Sequence, residues 1–240
     1  MKLAVASALV LLAACRRETF PPGPPAQPAN TTSPPAAVTT ALTEPAAPSV
    51  EGPKLPFVDE AQQDPSLVAF RDRLLTAVRA KDRDAVVGMA DPNIRTSFGD
   101  AGGRADLARK LEDPEMWRQL ESILSLGGTF RGDGAQRSFW APYVYSTFPD
   151  SRDAFENVAV IADDVPFREK PSRDSRILAT LSRDILEARI GERTEWIEVK
   201  TGDGQSGYVE SAQVRSPIDY RAGFMKSASG WSMTALVAGD

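Results

Sequence analysis

Four short runs decide how this chain folds: Val165-Pro166-Phe167-Arg168, Ile177-Leu178-Ala179-Thr180-Leu181, Trp196-Ile197-Glu198-Val199-Lys200 and Gly207-Tyr208-Val209. Bulky apolar residues alternate in them with small or polar ones, which is the two-residue period of half-buried strands. Turn chemistry separates the runs: Glu169 to Arg176 with Pro171, Ser182 to Asp184, and Thr201-Gly202-Asp203-Gly204. Val158-Ala159-Val160-Ile161 and Ile185 to Ile190 add two further strands. Glycine at the turns admits positive φ, and Trp196 and Tyr208 bring bulk to a sheet too small to close on aliphatic side chains alone. Both rings fit a core role, and both fit the flanks of a binding groove beside the loop Arg168–Arg176.

These residues resemble the bacterial SH3-like domain family, small barrels of cell-envelope proteins. The similarity runs through Val165 to Arg168, Pro171, Ile177 to Leu181, Trp196 to Val199, and Asp203-Gly204 to Val209. Phe167 stands where the family usually has Val, and Tyr208 where Trp is commoner. The resemblance implies an SH3-like β-barrel with candidate ligand-binding residues Phe167, Arg168, Trp196 and Tyr208. A wider resemblance, carried by the "aPYv", "RSPiDYRa" and "W.mt..vaGD" stretches, is to uncharacterised proteobacterial SH3 domain-containing proteins.

Upstream the period lengthens to that of helices. Asp64-Pro65 offers an N-cap oxygen and a proline tolerated at the first helical position. Leu67, Phe70, Leu74, Leu75 and Val78 then recur at three- and four-residue spacing. Asp84 is placed to cap a short second helix ending before Asp91-Pro92, and residues 104–111 suit a third. Asp113-Pro114 opens a fourth with Trp117, Leu120, Ile123 and Leu124 inward, stopped by Gly127-Gly128. Phe130, Phe139, Trp140, Tyr143, Tyr145, Phe148 and Phe155 crowd the next stretch, as a small core or as the lining of a cleft. After the barrel, Ala222 to Met225 and Trp231 to Val237 read as a hairpin packing back on the helical part. The expected fold class is α+β: a small N-terminal helical domain, an SH3-like β-barrel and a C-terminal β-hairpin extension.

The N-terminus says where the chain goes. Met1-Lys2 carries one charge, and the apolar run Leu3 to Ala14 is too short for a hydrocarbon core of roughly 30 Å. A charged start, a short apolar run and small residues before a cleavage point make a secretory signal. Leu12-Ala13-Ala14-Cys15 resembles the lipobox of bacterial lipoproteins, which implies that Cys15 is lipidated and becomes the first mature residue. Arg16 follows instead of the Asp used for inner-membrane retention, so outer-membrane sorting, facing the periplasm, is expected. The chain thus divides into a signal peptide (1–14), a lipidated cysteine and Pro-rich disordered tether (15–56), a helical domain (57–156), a barrel (157–215) and the hairpin (216–240).

Composition excludes much. Histidine is absent, so there is no Ser-His-Asp triad and no HExxH zinc site. The single cysteine cannot form an internal disulfide or a multi-cysteine metal cage. A net charge of −5 argues against nucleic acid, which needs a basic face. General acid–base work is left to carboxylates; Asp163-Asp164 and Asp150 with Asp153 are sequence pairs of the kind that loops usually carry as solvated groups. No cofactor and no metal site is expected. The preferred function is a non-catalytic cell-envelope lipoprotein that binds peptidoglycan peptide or a periplasmic protein. The alternatives are a cell-wall hydrolase using Asp/Glu in an interdomain aromatic cleft, and a purely structural or assembly lipoprotein.

Overall fold

In the computed structural model, residues 50–99, 102–188 and 194–239 are described. The expected signal peptide, Cys15 and the expected tether as far as residue 49 lie outside them.

Asp64 caps the first helix as its sequence predicts: its Oδ1 accepts from the backbone of Ser66 (2.9 Å) and Leu67 (3.3 Å). The helix, α1 (Pro65–Arg79), buries Leu67, Phe70, Leu74, Ala77 and Val78. The cap of α2 (Arg83–Gly88) is Asp82, whose Oδ1 accepts from Ala85 N at 3.0 Å; the Asp84 expected in that role lies inside the helix. A strand, β1 (Ala90–Arg95), follows where no strand was expected. It contains Pro92 and holds the edge of its sheet, the position where a missing N–H does least harm. Next come α3 (Gly103–Lys110) and α4 (Pro114–Ser125), the latter capped by Asp113. Short strands β2 (Thr129–Arg131) and β3 (Ser138–Ala141) precede α5 (Tyr143–Thr147).

The chain then forms β4 (Asn157–Val160), β5 (Val165–Arg168), β6 (Ile177–Leu181), β7 (Ile185–Ala188), β8 (Trp196–Lys200), β9 (Ser206–Glu210) and β10 (Val214–Arg215). These make one antiparallel sheet in the order β10-β4-β7-β8-β9-β5-β6. Val158, Val160, Phe167, Leu181, Leu186, Val199 and Val209 fill its interior. The alternation read from the sequence is the alternation seen; Val165 and Phe167 are buried and Pro166 is exposed.

The C-terminal strands β11 (Arg221–Ser227) and β12 (Gly230–Val237) belong to the other sheet, ordered β1-β12-β11-β3-β2. Here β11 runs antiparallel to β3 while β12 runs parallel to β1. The upstream part is therefore a mixed sheet with helices and not a helical domain, and residues from both ends of the chain build it. Leu74, Val86, Ile94, Leu107, Leu120, Ile123, Phe139, Phe224 and Leu236 share one core.

Order begins before residue 57. Leu55 is buried and its N–H donates to Arg183 O (2.7 Å), while Ile185 N donates to Pro53 O (2.8 Å). Lys54 Nζ reaches the buried Asp184 carboxylate at 2.6 Å. A third cluster, Leu55, Tyr143, Val144, Ala159 and Ile185, joins this strap and α5 to the seven-stranded sheet. The described residues fall within one compact unit.

Candidate functional site

The sequence points to Phe167, Arg168, Trp196 and Tyr208; the structure buries the first and brings the other three to one face of the sheet. Phe167 is fully buried in the sheet interior, so it packs and presents no surface. Arg168 pairs across the sheet with Tyr208, and its Nη1 donates to Ser175 O at 2.7 Å, closing the base of the loop. Arg173, within that loop, reaches Glu210 (Nε to Oε1, 2.8 Å) and Glu195 (3.7 Å). These contacts draw the loop toward the outer face of β9. Glu210 is the main reason that the Arg173 pKa lies above its ordinary value. Trp196 pairs with Glu210 and Glu198 with Tyr208, so Trp196, Tyr208 and Arg168 share the outer face of the sheet; of the three, Trp196 lines the cleft described next.

Trp196, half-buried, lines a cleft of about 560 Å³ between α4 and the seven-stranded sheet. Glu115, Arg118, Gln119 and Ser122 form the α4 wall. Their i, i+3, i+4, i+7 spacing puts them on one face of the helix, beside the apolar stripe of Trp117, Leu120 and Leu124. The opposite wall comes from Val158 and Ile161, from Trp196, Ile197 and Glu198 on β8, and from the stretch between Ser211 and Asp219. Arg215, 5% exposed, crosses the floor: its Nη1 donates to Ser122 Oγ (3.0 Å) and its Nη2 to Tyr220 O (2.5 Å). Arg118 Nε donates to Glu115 Oε2 (2.7 Å), and Gln119 Nε2 to Glu115 Oε1 (2.7 Å). Sequence reading missed the α4 residues because a polar stripe reads as a solvated face. Its helical periodicity was the available signal.

The aromatic cluster does not line this cleft; among the described residues its one aromatic ring is Trp196. Phe139 and Tyr143 are fully buried, Phe130 packs edge-on to Phe139 at 5.3 Å, and Trp140 lies 5.6 Å from Tyr145. Burial pushes the Tyr143 hydroxyl up. Phe155 is exposed. The paired carboxylates have local partners as well. Asp163 is bound by Arg183 (3.0 Å), which holds its carboxyl below the usual range, and Asp153 Oδ1 accepts from Phe155 N. Neither the aromatic cluster nor these acids line the cleft of about 560 Å³.

Residues 162–216 match the family model described as bacterial SH3 domain, and the chain carries such a domain over that span. No curated protein matches the sequence. Among solved structures, an NTF2-like protein with a cystatin-like fold from Novosphingobium aromaticivorans is similar at 10% identity, covering 70% of this chain and 75% of that one with a TM-score of 0.28. An NTF-2 like protein from Shewanella oneidensis MR-1 is 10% identical over 73% of this chain and 97% of that one, with a TM-score of 0.29. A third, from Pseudomonas putida KT2440, is 9% identical over 76% and 89%, with a TM-score of 0.27. At such scores these likenesses assign neither a fold nor an activity.

Proposed function

We propose that this chain is a non-catalytic lipoprotein of the cell envelope that binds peptidoglycan peptide through its SH3 domain, using the cleft shared with α4. The cleft carries the proposal. It is large enough for several residues of an extended peptide, it has one aromatic wall in Trp196, and it is rimmed by polar groups from two elements that hold each other in place. Concave sites of this kind, mainly apolar with a few convergent polar groups, are where ligands bind. Cys15 supplies the anchor in this account, through lipidation at the lipobox, and the Pro-rich segment spaces the domain from the outer membrane on its periplasmic side.

Two experiments test it. Detergent-solubilised full chain is co-sedimented with purified peptidoglycan sacculi, and the same preparation is run in a zymogram. The expected outcome is sedimentation without clearing, with retention lost in Trp196→Ala. Clearing would establish the hydrolase instead, and absence of sedimentation would overturn the ligand. For the anchor, Cys15→Ser is expected to move the protein from the membrane to the soluble fraction; unchanged fractionation contradicts lipidation.

A further inference from the structure

The charge state of the cleft says which part of a peptide it selects. Gln119 is 5% exposed, and its Oε1 has no hydrogen-bond partner among the described residues, although its Nε2 is committed to Glu115. A buried acceptor in that condition is a site for an incoming donor. Both cations of the cleft are already engaged: Arg118 with Glu115, and Arg215 with Ser122 Oγ and Tyr220 O. Glu198 is exposed, and no ion pair or hydrogen bond engages its side chain among the described residues. Trp196 lies two residues before it, on the same face of β8. The cleft therefore offers an unneutralised carboxylate, an aromatic ring and an unmet acceptor.

We propose that the cleft selects a peptide segment bearing a primary ammonium on an apolar stem. The ammonium sits against the Glu198 carboxylate and the Trp196 ring, which attract it as opposite charge and as a π face. An N–H of the same segment supplies the donor that Gln119 Oε1 lacks. Anionic segments are disfavoured, because the Glu198 carboxylate repels them and Arg118 would have to leave Glu115 to meet them. This rests on the binding role proposed above and adds the charge and shape of the group recognised.

The test is calorimetric titration of the full chain in detergent with a blocked alanine-lysine-alanine peptide and with its Nε-acetylated counterpart. The lysine peptide is expected to saturate. Acetylation and Glu198→Gln are each expected to weaken binding about tenfold, the scale of one charged hydrogen bond. Gln119→Leu should weaken binding and change the melting temperature little, because the gain from removing a buried acceptor without a partner offsets the loss of the Nε2 bond to Glu115. Equal affinity for the two peptides, or unchanged affinity in Glu198→Gln, overturns amine recognition. Sacculi bound by a chain that ignores the lysine peptide overturn it while leaving the binding role intact. If neither sacculi nor the lysine peptide binds, both fall.

Discussion

Gly207 shows how a single residue is fixed by its neighbours. The turn glycine Gly204 has φ of +88°, the left-handed conformation expected of a turn, but Gly207 is glycine for another reason. A Cβ there would stand 2.5 Å from Phe167 Cε2 and 2.7 Å from Arg168 O. The Phe at position 167, larger than the Val that the family resemblance leads one to expect, occupies that space. Gly207→Ala is therefore expected to cost about 1–3 kcal/mol through overpacking, read as a lower denaturation midpoint. Asp64 carries the second residue-scale prediction. Its hydrogen bonds from Ser66 and Lys226 hold its carboxyl well below the ordinary value of about 3.9. A depressed folded pKa contributes stability that is present above the unfolded value and lost as pH falls through the folded one. Asp64→Asn should thus melt lower than wild type at neutral pH, and the gap should close in strong acid. A gap that does not depend on pH would remove the ionic contribution.

At the scale of elements, the strands of the SH3 domain were legible because their two-residue period is local, and helix caps at Asp64 and Asp113 were legible for the same reason. What local pattern cannot carry is partner choice. The hairpin of β11 and β12 was readable as two strands, yet its place in the middle of the mixed sheet depends on β1, more than a hundred residues upstream. Asp91-Pro92 concealed that strand. Deleting residues 218–240 removes two inner strands, so the expected result is loss of cooperative unfolding and not a lowered melt; a cooperative transition would contradict the topology. The strap before α1 makes a second prediction. Among the described residues, Lys54→Ala leaves the buried Asp184 carboxylate with Ser182 N, at 2.7 Å, as its one donor, and should cost about 1–3 kcal/mol. Asp184→Asn, which returns the half-exposed Lys54 to water, should cost less. Equal losses would mean that the asymmetry of burial does not matter.

For the whole molecule, the sequence pointed to the domain and to one wall of the cleft, Trp196. Phe167 belongs to the core; Arg168 and Tyr208 share the outer face with Trp196, and of the four Trp196 alone lines the cleft. The other half of the site comes from α4, whose Glu115, Arg118, Gln119 and Ser122 look like solvated surface until the tertiary fold sets the sheet opposite them. A site made by two elements some eighty residues apart leaves no local motif. The central claim is that binding takes place there. Hydrogen–deuterium exchange of the full chain, with and without soluble peptidoglycan fragments, tests it most directly. The account predicts slowed exchange across Glu115–Ser122 on α4 and Trp196–Val199 on β8. Protection confined to Glu169–Arg176 and Ser206–Glu210, the loop face, would contradict it.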